Sequence, residues 1–182
     1  MNATMICYAT RPTPLGTALV ARSQRGLAAI LLGDDEGAMA AELARVYAGT
    51  VAREDGDALR TVLDDFGAFL LSPATGFHHR LDLGGTPFQR RVWQALLDIP
   101  AGSTITYTDL AARIGRPDAV RAVAGACAAN RHAVAVPCHR VLGRDGALSG
   151  YRWGMDRKRQ LLAMEALDEP VCGRRRDGRT GR

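Results

Sequence analysis

No stretch of this 182-residue chain is apolar for long enough to cross a bilayer. Runs such as Leu27–Leu32 stop far short of the roughly 20 residues that a spanning helix needs. Met1–Thr10 has neither the basic start nor the long apolar stretch of a secretory signal, so a cytoplasmic protein with reduced thiols and no membrane partner is expected. Its four cysteines, Cys7, Cys127, Cys138 and Cys172, form no C-x-x-C pair, and no Cys/His cluster has zinc-ligand spacing. No structural metal is therefore expected. His78 and His79 do not change this, because neighbours on a strand diverge and no further ligands flank them. An excess of one charge is also scarce. The last ten residues hold five arginines and one acid, which leaves residues 1–172 at a formal +1 out of a total of +5. Global charge thus argues little for nucleic acid, although a few local phosphate contacts would suffice.

What is present is an ordinary globular composition, 47% hydrophobic and 24% charged. The length suits one compact domain or two small ones sharing an interface. Residues 5–10, 17–22 and 27–32 are β-prone runs separated by Pro14-Leu15-Gly16 and Ser23-Gln24-Arg25-Gly26, which suggests an antiparallel meander. Two packing helices are predicted next: Ala38–Tyr47, and a segment with Leu59, Val62, Leu63, Phe66 and Leu70 at helical spacing. Residues 77–83 alternate toward their end like a strand before Gly84-Gly85. A first domain therefore spans 1–85, a second 86–170, and residues 171–182 form a basic tail, expected to be disordered.

The second domain opens on Thr86-Pro87-Phe88-Gln89, a capping box with a first-turn proline. Thr106-Tyr107-Thr108-Asp109 repeats the device and leads a short helix ending near Gly115. Gly115-Arg116-Pro117 then turns the chain into a third helix, about 118–130. Two short helices around a tight turn match the helix-turn-helix pattern, which alone is a weak sign of DNA binding. In the third helix Val120, Val123, Ala124 and Cys127 form a core stripe. The other side offers Ala122, Gly125, Ala126 and Ala129 beside Arg121. That surface has no Asn, Gln or Lys for reading base edges. A helix so thin could lie against a widened minor groove, although on these residues alone close helix–helix packing is the more ordinary reading.

Val136-Pro137-Cys138-His139-Arg140 carries the chemistry. A thiol of pKa ~8.5 is only a few per cent thiolate at pH 7, so nucleophilic work needs a partner that generates the anion. His139 is available. Adjacent strand residues face opposite ways, so contact requires a turn, a helical geometry or a bridging water. An imidazole acting as base is commonly oriented by a carboxylate. On spacing alone, Glu165 is a candidate no better than a solvated helix acid.

These residues resemble the O6-alkylguanine-DNA alkyltransferases, also called methylated-DNA–protein-cysteine methyltransferases. The match rests on Pro137-Cys138-His139-Arg140-Val141. Tyr107, Arg121 and Asn130 stand 31, 17 and 8 residues before Cys138, and Ser149-Gly150-Tyr151-Arg152-Trp153-Gly154 and Glu165 follow it. It is strongest over residues 86–165 and extends loosely back to about residue 5. It lies nearest the alkyltransferase half of Ada-type members, whose zinc-binding regulatory half has no counterpart in these residues. The resemblance implies an α/β fold, with a small N-terminal RNase H-like antiparallel sheet and helices followed by a mostly helical winged helix-turn-helix domain. It implies that Cys138 irreversibly accepts the alkyl group from O6 of guanine, or O4 of thymine, in double-stranded DNA. Glu165, His139 and a water would ionise Cys138, Tyr107 would assist rotation and protonate the departing base, and Asn130 would brace the turn. Arg121 would fill the gap left by the extruded nucleotide. The carbonyls of Val136 and Cys138, with Ser149, Gly150, Tyr151, Trp153 and Gly154, would line the guanine pocket, and Ala122, Gly125, Ala126 and Ala129 would face the minor groove. No cofactor is implied, and a monomer suffices. The competing readings are a transcription regulator indifferent to Cys138 and a cysteine hydrolase that turns over.

Overall fold

The computed structural model describes residues 5–48 and 51–167. The meander forms as expected, with longer strands: β1 (Met5–Thr13), β2 (Gly16–Ser23) and β3 (Gly26–Gly33), paired antiparallel in sequence. Gly16 makes the first turn at φ 93°, and Gly26 completes the second at φ 144°. A fourth strand, β4 (Val51–Glu54), pairs parallel with β1 and was not predicted, giving the order β3-β2-β1-β4. Four residues with two charges carry too little alternation to announce a strand.

Both faces of the sheet are covered, which explains the near-continuous apolar runs in β2 and β3. Leu19, Ala21, Ala29 and Leu31 pack with Met39 and Leu43 of α1 (Glu36–Val46). Ala18, Val20, Ile30 and Leu32 face the main core, with Leu59, Val62, Leu63, Phe66 and Leu70 of α2 (Gly56–Leu71). Asp35 and Asp55 cap the two helices, accepting from Ala38 N at 2.9 Å and Ala58 N at 3.1 Å. The strand expected over 77–83 is not there. Only Leu81 bridges to Leu27, because Phe77 is drawn into the α2 cluster, its ring 5.7 Å from Phe66 and 5.4 Å from Phe69.

The second half builds α3 (Pro87–Leu97), β5 (Ile105–Thr106), α4 (Tyr107–Arg113), α5 (Val120–Ala128), β6 (Val141–Leu142) and α6 (Met155–Leu167). Both capping boxes form, at Thr86/Gln89 and Thr106/Asp109. Val92, Trp93, Leu96, Val123, Val136 and Leu161 join the same core as the sheet. The halves are also stitched by backbone. Ile30 N donates to Arg131 O and Ala133 N to Ile30 O, both at 2.8 Å, while His132 Nε2 meets Leu27 O at 2.9 Å.

One expectation about α5 is corrected. Ala126 is not on the open face: it is 2% exposed, and Trp93 Nε1 donates to its carbonyl at 2.8 Å. Ala129 is half-buried, and the exposed set is Arg121, Ala122, Gly125 and Ala128. The core stripe is turned by about one residue, Val123-Ala126-Cys127, which leaves Ala124 at the edge of a cavity. The tail 171–182, with Cys172, lies outside the described residues. Among the described residues no helix is long and apolar enough to span a membrane.

Candidate active site

Two tight turns place Cys138. Val134 sits buried at φ 63°, a conformation unusual for a β-branched residue, and Ala135 N closes onto Ala133 O at 2.6 Å. Pro137 then makes a second three-residue turn, closed by Cys138 N to Val136 O at 2.8 Å, and residues Cys138–Arg140 coil into one 3-10 turn. This turn brings Cys138 Sγ to Asn130 on one side and His139 to Glu165 on the other, rather than to each other. Cys138 and His139 therefore point to different surroundings without lying on a strand. β5 pairs with β6 beside this turn, tying the start of α4, and with it Tyr107, to the cysteine segment.

Cys138 is 4% exposed and forms part of the wall of a cavity of about 380 Å³. Asn130 bonds across the turn. Its Nδ2 donates to Val136 O at 2.9 Å and to Cys138 Sγ at 3.3 Å, and its Oδ1 accepts from His132 N at 2.9 Å. Burial pushes the Cys138 thiol up to about 11, against the Asn130 bond and the Lys158 ammonium, which pull it down. Left to itself this sulfur stays protonated at neutral pH.

On the other side of the turn His139 is wholly buried, with Nε2 2.8 Å from Glu165 Oε1. Glu165 is 1% exposed and is no solvated acid. It also accepts from Arg140 Nε at 3.0 Å, Arg140 Nη2 at 2.7 Å and Gly102 N at 3.2 Å. Burial would raise its pKa, but the hydrogen bonds and charges of His139 and Arg140 outweigh that and hold it at about 2. Burial lowers His139, so its imidazole is neutral, Glu165 partly offsetting the shift. With a carboxylate accepting at Nε2, the hydrogen resides there and Nδ1 carries the lone pair. Nδ1 is buried and has no partner within the protein.

The rest of the cavity wall comes from Tyr107 of α4, from Ala124, Cys127 and Ala128 of α5, and from Ser149–Arg152. The Tyr151 hydroxyl is buried without a hydrogen-bond partner, while that of Ser149 lies against Tyr107. Burial raises both tyrosines, Tyr151 strongly. Trp153 and Gly154 do not reach the cavity. Trp153 backs Tyr151 edge-on at 5.2 Å, and Gly154, at φ 98°, starts α6. The Val136 carbonyl is already engaged by Asn130 and Cys138, and Arg121 stands exposed on α5. His78 and His79 go separate ways, to Thr75 O and Asp65.

Sequence reasoning missed three supports. Arg140 neutralises Glu165. Lys158, the only lysine in the chain, is fully buried and donates to Val141 O at 2.7 Å and Ser149 O at 2.8 Å, tying the cysteine turn to the 149–152 loop. A single lysine among arginines was the available signal, since an ammonium is the compact donor for carbonyls. Arg152 reaches from the cavity wall to Ala128 O at 3.1 Å and to Glu42 of α1.

A protein-family model described as "6-O-methylguanine DNA methyltransferase, DNA binding domain" matches residues 87–167. The chain is 48% identical to the bifunctional transcriptional activator/DNA repair enzyme Ada of Escherichia coli over 162 residues, 89% of this chain and 46% of that protein. It thus spans about half the length of Ada. It is 46% identical to the methylated-DNA–protein-cysteine methyltransferase of Mycolicibacterium paratuberculosis over 118 residues, 65% of this chain and 72% of that one. Its structure is similar to that of Mycobacterium tuberculosis OGT crystallised in complex with DNA. The TM-score is 0.77 at 37% identity, covering 91% of this chain and 96% of that one.

Proposed function

Because the chain belongs to the methylated-DNA–protein-cysteine methyltransferase family, we propose that it repairs DNA by direct reversal, taking the alkyl carbon from O6 of guanine onto Cys138 in one irreversible turnover. The observation that carries this reading is a thiol set in the wall of a cavity of about 380 Å³, next in sequence to an imidazole locked onto a buried carboxylate. Glu165 keeps the hydrogen on Nε2, so Nδ1 takes the Cys138 proton through a bridging water. The thiolate attacks the alkyl carbon; the S–C bond forms as the C–O bond breaks. The electron pair goes into guanine, which Tyr107 protonates as it leaves. The thioether product has nothing to exchange or hydrolyse, so the protein is its own co-reactant and needs no cofactor. The reaction suits a cytoplasm that keeps thiols reduced.

The target carbon lies within the base stack, so the nucleotide must be extruded, at a cost of a few kcal/mol. Arg121 offsets part of this by filling the gap. The exposed Arg121, Ala122, Gly125 and Ala128 make α5 thin enough to lie in a widened minor groove. Ala126 takes no direct part, being occupied with Trp93. We read residues 1–85 as an RNase H-like domain and 86–170 as a winged helix-turn-helix domain, acting together as a monomer. The test is a duplex with a labelled O6-methylguanine. Label on Cys138, at no more than one equivalent, supports the reading. Multiple turnovers, as from a cysteine hydrolase, or no transfer rejects it.

A further inference from the structure

The cavity that holds Cys138 has a second cysteine in its wall, which the reaction above does not use. Cys127, in the last turn of α5, is 5% exposed and lines the same wall. One residue tethers both: the Cys127 carbonyl accepts from Asn130 N at 3.2 Å, and Asn130 Nδ2 donates to Cys138 Sγ at 3.3 Å. The remaining described cysteine, Cys7, lies on β1 and lines no part of this cavity. Burial raises the Cys127 thiol far above its usual value, and the charge of an ionised Cys138 adds to that shift.

An acceptor used once is lost as surely to oxidation as to alkylation. A cysteine carried beyond sulfenic to sulfinic acid is generally not recovered, whereas a disulfide is restored by thiol exchange. We propose that Cys127 is a resolving thiol, which captures an oxidised Cys138 as a Cys127–Cys138 disulfide and so stores the alkyl acceptor in a recoverable form. This rests on the proposed function for its supply of Cys138 thiolate. The thiolate attacks a peroxide oxygen; an S–O bond forms, the O–O bond breaks and hydroxide leaves, taking up the proton removed from the thiol. Cys138 is oxidised by two electrons to the sulfenic acid and the peroxide is reduced. With the negative charge on Cys138 gone, the Cys127 sulfur attacks it. The S–S bond forms, the S–O bond breaks, and water departs with the Cys127 proton. In balance, two thiols and one hydrogen peroxide give one disulfide and two waters.

The experiment treats the full chain with hydrogen peroxide and maps it by non-reducing peptide mass spectrometry. Methyl transfer is measured before treatment, after it, and after dithiothreitol. The expected result is a loss of two hydrogens located to a Cys127–Cys138 cross-link, with transfer abolished and then recovered on reduction. In Cys127→Ser, scored against its own untreated transfer, Cys138 should proceed to sulfinic or sulfonic acid, with no recovery. Absence of the cross-link in the natural chain overturns the proposal, whether Cys138 is untouched, over-oxidised or joined to Cys7 or Cys172. This readout does not depend on how the variant folds. A chain that transfers methyl but never cross-links fails this inference alone, whereas one that transfers nothing when untreated fails the proposed function.

Discussion

The two flanks of the Cys138 turn are built on opposite rules. Behind it, Glu165 is saturated: His139, Arg140 and Gly102 all donate to one carboxylate, and Arg140 also holds the Ile99 carbonyl. Toward the cavity, the Tyr151 hydroxyl is buried and satisfied by nothing in the protein. Buried polar groups are normally paired, and leaving one unpaired costs about 1–3 kcal/mol. The saturated flank is a fixed support, while the unsatisfied one has hydrogen-bonding capacity to offer a visitor. His139 joins them, with one nitrogen committed to Glu165 and the other free.

The hardest blow to this contrast is Glu165→Gln. It leaves Arg140 buried without a counterion, and breaking such a pair costs about 3–5 kcal/mol. Urea unfolding should show a loss of that size, together with much slower methyl transfer. Unchanged stability would mean that the rear flank supports nothing. Tyr151→Phe sharpens the contrast by separating stability from rate. Removing an unpartnered hydroxyl should leave stability unchanged or improved, while single-turnover transfer slows roughly tenfold if one bond of about 1.4 kcal/mol to the base is lost. A matching fall in stability would place Tyr151 with the fixed support.

Acid probes the same divide. Glu165 is held at about 2, below its ordinary 4.5, so the unfolded chain binds the extra proton. Its contribution is complete above about pH 4.5 and is lost as the pH falls toward 2. His139 is also lowered, from 6.5, so protonation below that value again favours the unfolded chain. Both signs agree. Denaturation at a series of pH values should show stability falling from about pH 6.5 downward, most steeply between 4.5 and 2. Transfer should decline in the same direction as His139 ceases to be a base. The smallest effect is expected at Gly125, where an added Cβ meets open space. Gly125→Ala should raise stability by about 0.5–1 kcal/mol in thermal unfolding. Gly125→Leu should fold equally well yet bind duplex less tightly in a titration. Unaltered affinity would detach α5 from the groove.

Features coded within a few residues were legible from the chain: the Thr86 and Thr106 caps, the α2 stripe and the turns around Gly16 and Gly26. The reactive pair could be named from Pro137-Cys138-His139, but its geometry could not. The turn holds Val134 at positive φ beside Ala133, which is bonded to Ile30 about 100 residues away, a contact that no local pattern announces. Ala126 was misplaced because, among alanines, helical periodicity gives no hint of which one meets Trp93. β4 was missed because pairing with β1, rather than its own pattern, makes it a strand.

The lone lysine has a practical corollary. Since Lys158 is sealed beneath the 149–152 loop with two carbonyls on its nitrogen, acylating reagents find no exposed side-chain amine on the folded molecule. Uptake of a label at that position then reports how often the surroundings of this nitrogen open, readable by peptide mass and without any substrate.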